Sequence, residues 1–219
     1  FQDEPGPNSI GRISKFAPDG TFIMSFGSWG YEDGQFRAPH SFAMDSQGRL
    51  FIADRGNRRI QIFDQEGTHL DTWYQFSRNS GIYIDANDVL YAIDSDSDHN
   101  YNPGWRKGLR VGSARTGEVW YFTQEHVSAR ASGMGGVGSM GEGVTADAEG
   151  NVIAGEVGPV QGLTKFVPQL TRADLTLDAT SEDRKQNWAF PFGAGLLVMG
   201  GLMLGAKMFG GNEADKTAA

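Results

Sequence analysis

The run Asp94-Ser95-Asp96-Ser97-Asp98-His99-Asn100 sets acidic side chains at alternate positions, a spacing that suits oxygen ligation of a hard cation such as Ca²⁺. A complete loop of that kind needs a following glycine and a distal glutamate, and neither is present. The expected structure at Asp94, Asp96 and Asp98 is therefore a solvated loop at the edge of an element, with calcium as the chemistry to test there. Of the 4 histidines, His69, His99 and His126 have no ligand-like spacing and read as surface residues. Cysteine is absent, which removes thiolate chemistry and any disulfide framework. Gly133, Gly135, Gly136 and Gly138 imitate a phosphate loop, but no Lys-Ser/Thr pair and no helical sequel follow. A formal net charge of −8 without a basic block argues against nucleic acid as a partner.

These residues need a frame, and the stretch from Ala38 to Phe63 supplies the clearest part of it. Phe42 and Met44 alternate with polar neighbours, Ser46-Gln47-Gly48 is a turn, and Leu50-Phe51-Ile52-Ala53 reads as a strand buried on both faces. Asp54-Arg55-Gly56-Asn57 turns the chain again, Ile60, Ile62 and Phe63 form a third strand, and the segment ending at Trp73 forms a fourth. Four antiparallel strands in about 40 residues make one blade of a β-propeller. No helix is expected between Ala38 and Phe63.

The pattern repeats. Arg12–Phe16 and Thr21–Phe26 read as the outer strands of a preceding blade, with Phe16-Ala-Pro-Asp-Gly-Thr paralleling Phe63-Asp-Gln-Glu-Gly-Thr. A further blade starts at Ser80–Asp85, with Asp85 standing 40 residues after Asp45, and continues through Val89–Ile93, Leu109–Gly112 and Val119–Phe122. A last repeat covers Glu142–Asp147, Gly150–Ala154 and Leu163–Phe166. The 31 glycines suit a turn-dense all-β chain, and Trp29, Trp73, Trp105 and Trp120 fall where blades pack. The fold class is thus all-β, with about three and a half blades over residues 1–168, expected to belong to a ring of about six. Because the sequence enters in mid-blade, the remaining blades are expected upstream of Phe1 rather than on another chain. A start at Phe1 suggests processing or further upstream residues, and no signal peptide is visible.

Residues 169–187 are polar and read as a linker. Trp188 to Ala206 then runs 19 residues without a charge, and extension to Phe209 makes a segment long enough to cross a bilayer. Trp188, Phe190 and Phe192 sit where an interfacial aromatic belt belongs, and Lys207 can snorkel at the other end. Gly193, Gly201 and Gly205 give a small-residue face for packing against another membrane helix. Residues 210–219 form a polar tail. Arg184 and Lys185 before the span balance Lys207 and Lys216 after it, so charge sets no orientation.

The motif Asp-x-x-Gly-x-Leu-Phe-Ile-Ala-Asp-x-x-Asn-x-Arg-Ile-Gln-Ile-Phe resembles an NHL repeat. With Gly34–Ser41 and Ala53-Asp54-Arg55 added, the stretch from Asn8 to Pro168 resembles the propeller of the peptidyl-α-hydroxyglycine amidating lyases and their bacterial relatives. That resemblance implies that His40 is one of three histidines holding zinc at the propeller axis, and that Arg55 binds and polarises substrate. It also exposes departures. Glu142 and Gly143 stand where a second zinc histidine and an aspartate are expected, Asn8 stands where a catalytic tyrosine is expected, and the third histidine belongs to a blade that is not in the sequence. One imidazole holds zinc poorly, and Glu142 replaces a nitrogen donor with an oxygen. His40 and Glu142 are thus candidate metal ligands whose expected state is a satisfied polar pair, with zinc or calcium the ions to test and no cofactor required.

The function expected is that of a single-pass, membrane-anchored, non-catalytic propeller. It acts as an accessory or scaffold subunit of a membrane complex, of which an energy-converting one, photosynthetic or respiratory, is an example. Its partners are the lipid bilayer and other integral membrane subunits. The relatives are usually exported, which puts the propeller on the periplasmic side. The rivals are a membrane-tethered, metal-dependent lyase and a peptide- or sugar-binding module.

Overall fold

The computed structural model describes residues 11–124, 139–157 and 162–168. Asn8, His126, the glycines at 133–138, the linker and the apolar segment with Gly193, Gly201 and Gly205 lie outside the described residues. Among the described residues no helix is long and apolar enough to cross a membrane.

The architecture is all-β and built of propeller blades. Strands β1 (Ile13–Phe16) and β2 (Phe22–Phe26) form an antiparallel pair. A short parallel pair follows, β3 (Ser28–Trp29) with β4 (Gln35–Phe36), which the sequence pattern did not reveal. The first full blade is β5 (Pro39–Met44), β6 (Leu50–Asp54), β7 (Arg59–Phe63) and β8 (His69–Trp73), hydrogen-bonded in that order. The second is β9 (Asn79–Ile84), β10 (Val89–Asp94), β11 (Gly108–Ser113) and β12 (Val119–Gln124). A three-stranded sheet closes the described part: β13 (Ser139–Ala146), β14 (Val152–Val157) and β15 (Gly162–Phe166). The inner strands β5, β9 and β13 lie side by side.

Strand β6 is buried on both faces, as its unbroken apolar run requires. Phe51 joins Ile60, Ile62, Trp73, Ile82, Leu90 and Ala92 in the core between the two full blades. Ile52, on the other face, packs with Phe36 and Phe63 beneath Phe26 and Ile13. A third core joins the second blade to β13–β15 through Tyr91, Leu109, Val111, Val152 and Phe166.

One strand face stays uncovered, and one expectation needs correction. Alternation in β5 correctly marked a strand, but Ala43 packs on the core while Phe42 and Met44 stay 71% and 52% exposed. Their face is shared with Ile52, yet the cover supplied by β1, β2 and Phe36 reaches the third strand and not the first. A single 3₁₀ turn, Arg55–Asn57, also falls inside the stretch where no helix was expected. It occupies the turn between β6 and β7 and interrupts neither strand.

Candidate functional site

The hairpin end that carries Arg55 is held by one carboxylate. Asp54, fully buried at the end of β6, accepts hydrogen bonds from the Arg37 N–H (2.8 Å), Arg59 Nε (2.8 Å), Asn57 Nδ2 (2.8 Å) and Gln61 Nε2 (3.1 Å). Arg59 reaches on to the carbonyls of Glu32 and Gln35, and so ties the β3–β4 segment to the blade. Burial pushes the Asp54 carboxyl above its ordinary range, and the Arg59, Arg37 and Asn57 donors pull against it. Gly56 is required here by close approach. A Cβ would stand 2.5 Å from the Arg37 carbonyl oxygen, which accepts the Gly56 N–H at 2.8 Å.

This cage aims Arg55, only 3% exposed, at the end of β5. Its Nη1 donates to His40 Nε2. The His40 Nδ1–H donates to the Ala38 carbonyl at 2.7 Å, and Ala38 itself takes a left-handed φ of 49° to present that oxygen. The two bonds together fix the neutral, Nδ1-protonated tautomer of His40, whose one ring lone pair faces a guanidinium. His40 and Arg55 therefore share one end of the blade, as antiparallel pairing of β5 and β6 requires.

A further partner of Arg55 comes from the second blade. Its Nη2 is ion-paired to Asp96 Oδ2, and Arg78 Nη2 lies 3.5 Å from the same oxygen. Arg78, 2% exposed, also donates through Nη1 to the Arg55 carbonyl at 3.1 Å. The acidic residues at 94, 96 and 98 thus have three separate roles. Asp94 accepts from the Ser77 hydroxyl (2.6 Å), the Ser97 hydroxyl (2.5 Å) and the Ser97 N–H (2.8 Å), with Arg110 3.6 Å away. Asp98 accepts from the N–H groups of Asn100 (2.8 Å) and Tyr101 (2.9 Å). Burial opposes ionisation of Asp98, but those N–H groups hold its carboxyl below the usual range. Among the described residues no group of three His, Asp or Glu side chains is placed to hold a metal ion.

Glu142 is exposed on β13, where its carbonyl lies close to Gly81 of β9. No hydrogen bond joins His40 to Glu142, and the expected polar pair gives way to His40 with Arg55. Sequence reasoning missed Arg78. Its signal was the polar run Ser77-Arg78-Asn79-Ser80 at the head of an otherwise apolar blade, where all four residues are buried. It also missed Arg110, buried with Trp105 and Phe122 rings 5.1 and 4.5 Å from its guanidinium carbon.

Comparisons with known proteins agree with this frame. Residues 36–63 match the family model described as NHL repeat. The human NHL repeat-containing protein 3 is 41% identical over 63 residues, covering 28% of this chain and 18% of that protein. Peptidyl-glycine alpha-amidating monooxygenase A of Xenopus laevis is 49% identical over 63 residues, 25% of this chain and 6% of that protein. The chain thus spans less than a fifth of the length of these curated relatives. Among solved structures, a streptogramin B lyase aligns with a TM-score of 0.47 at 13% identity, covering 72% of this chain and 48% of that one.

Proposed function

We propose that this chain is a membrane-tethered NHL-type propeller that serves as a non-catalytic accessory or scaffold subunit of a membrane complex. The observation that carries the non-catalytic part is the commitment of Arg55. The side chain that the amidating-lyase resemblance implies for substrate is bonded to His40 and Asp96, and the His40 lone pair is directed at that arginine rather than left open for a metal. The anchor rests on the charge-free run Trp188–Ala206 and its small residues Gly193, Gly201 and Gly205, which permit close packing of helices in lipid. The propeller then lies on the periplasmic side, joined to the span by residues 169–187.

The relatives named for amidating monooxygenase activity favour the rival reading, a tethered metal-dependent lyase, and one measurement separates the two. Metal analysis of the purified full-length protein should find no stoichiometric zinc. Zinc at one equivalent that is lost in His40→Ala would overturn the non-catalytic reading. Truncation after Asn187 should move the protein from the membrane pellet to the soluble fraction.

A further inference from the structure

We propose that the end of the blades carrying Asp54 and Asp94 rests on the bilayer surface, with Tyr31, Tyr74, Tyr101 and Trp105 at the lipid headgroups. This deepens the anchored reading and rests on it. The four are the exposed tyrosines and tryptophans among the described residues, and all lie at that end. Tyr31 stacks on Arg37 (4.8 Å) in the segment that Arg59 holds through the Glu32 carbonyl. Tyr74 follows Trp73, which pairs with Ile60 next to Arg59 and Asp54. Tyr101 and Trp105 belong to the connection between β10 and β11. An apolar ring with a polar tip prefers the headgroup region. Phe16 and Phe22, exposed at the opposite end, lack that tip and pack on each other with centroids 5.7 Å apart.

The β10–β11 connection makes the main contact. It runs over residues 95–107, where the first full blade needs only 55–58. Bonds from beneath hold it in one shape. Asp98 accepts the Asn100 and Tyr101 N–H groups, and buried Asn102 donates to the Ser77 and Ser97 hydroxyls at 2.8 and 2.9 Å. The Tyr101 and Trp105 rings lie 5.5 and 5.1 Å from the guanidinium carbons of Arg78 and Arg110. A loop already ordered spends little entropy on docking. Its tip exposes Pro103, Gly104 and Arg106, with Lys107 next in line. Those two bases suit lipid phosphates. At the turn end Arg49, Arg115 and Lys165 face Asp45, Asp88 and Asp147, and the acids Asp19, Glu66 and Glu149 are exposed. An anionic leaflet thus attracts the tip of the connection and repels the turns. The chain leaves β15 at the turn end. Residues 169–187 extend to ~60 Å, against about 20 Å for a strand, so the linker reaches back along the blade to the bilayer.

The test uses the full chain reconstituted in vesicles of phosphatidylcholine and phosphatidylglycerol. The sequence holds no cysteine, so Pro103→Cys and Glu66→Cys each give a single site for a fluorophore. Lipids with a nitroxide on the headgroup should quench the label at 103 at least about twofold more than the label at 66. Arg106→Gln with Lys107→Gln should shrink that excess in these vesicles and not in phosphatidylcholine alone. Equal quenching at the two sites, or more at 66, in a chain that floats with the vesicles would overturn the orientation and leave the anchor intact. A chain that does not float removes the anchor and this inference together. A label at 103 shielded from iodide in native membranes but not in the vesicles would assign this end to a protein partner and overturn the lipid assignment. Where Pro103→Cys does not fold, Asn100→Cys reads the same tip.

Discussion

The two ends of the blades handle carboxylates in opposite ways. At the turn end, Asp45, Asp64, Asp85 and Asp147 each accept the N–H groups of the residues two and four further on. Gly48, Gly67 and Gly150 follow three residues after their aspartates with φ of 77°, 81° and 82°, the left-handed conformation that closes such a turn. At the other end, Asp54, Asp94 and Asp96 bind side chains and N–H groups drawn from several strands and from two blades. One end repeats a local device, and the other builds a different polar network for each blade. A propeller can vary the second end because the first already fixes the hairpins.

The largest effect expected follows from that contrast. Asp54→Asn turns one acceptor oxygen into an amide NH₂ that must face buried donors, either the Arg37 N–H or those of Arg59, Asn57 and Gln61, and should cost about 3 kcal/mol of stability. Asp64→Asn at the turn end keeps an acceptor in an exposed Asx turn and should change the urea midpoint little. Similar midpoints for the two variants would remove the distinction between the ends.

Glycine substitutions sharpen the comparison at a smaller scale. Gly56→Ala must push a Cβ against the backbone carbonyl oxygen of Arg37 at 2.5 Å, and should cost about 1–3 kcal/mol. Gly48→Ala meets nothing within 4 Å and is opposed only by its φ of 77°, which should cost about 1 kcal/mol. Thermal unfolding of both variants measures the difference, and a larger loss at Gly48 would mean that dihedral strain outweighs the contact.

What the sequence made legible divides along the same line. The turns were readable because aspartate, glycine and their bonds all lie within five residues, and the strands between them followed from apolar runs such as Leu50–Ala53. The joint of His40 and Arg55 at one blade end was also readable, since strand pairing alone forces it. The parallel β3–β4 pair was not, because two strands of two residues carry no periodicity. Nor was the Arg78–Asp96–Arg55 contact, which joins residues on two blades and depends on how sheets pack rather than on any local pattern. The alternate acids at 94, 96 and 98 looked like one site in sequence, but each faces different donors once Ser77, Arg78 and Tyr101 are placed around them.

Asp88 is the exception within the turn end, and it sharpens the rule. It stands three residues after Asp85, where the other turns have glycine, and holds φ at 59°. Its carboxylate accepts the Ser46 N–H (2.8 Å), the Ser46 hydroxyl (2.7 Å) and Arg115 Nε (2.8 Å), so it staples the two full blades. Asp88→Ala loses the staple and keeps the strain, whereas Asp88→Gly loses the staple and relieves the strain. The alanine variant should therefore be less stable than the glycine variant by about 1 kcal/mol. The reverse order in chemical denaturation would show that Asp88 is not strained by its backbone.

The smallest effect expected is a pH dependence whose sign at buried Asp54 is opposite to that at the turn aspartates Asp19, Asp64 and Asp147. The carboxyls of Asp19, Asp64 and Asp147 are held below their ordinary value of 3.8, chiefly by the Thr21 N–H, the Thr68 N–H and the Asn151 side-chain amide. A carboxylate held low in the native state binds protons less readily there than in the unfolded chain. Its contribution is fully present above the unfolded value and is lost as pH falls through the native one. Asp54 is raised by burial, so its share runs the other way: present below the unfolded value and lost as pH rises through the native one. Urea midpoints of wild type and Asp64→Asn, compared from about pH 6 to about pH 3, should converge as the acid end is approached. The gap between wild type and Asp54→Asn should not close in the same acid window, because protonating Asp54 removes a charge that burial disfavours while Asn57 and Gln61 remain in place to bond it. Convergence of both pairs over one pH range would mean that the buried carboxylate and the exposed ones titrate under the same constraint.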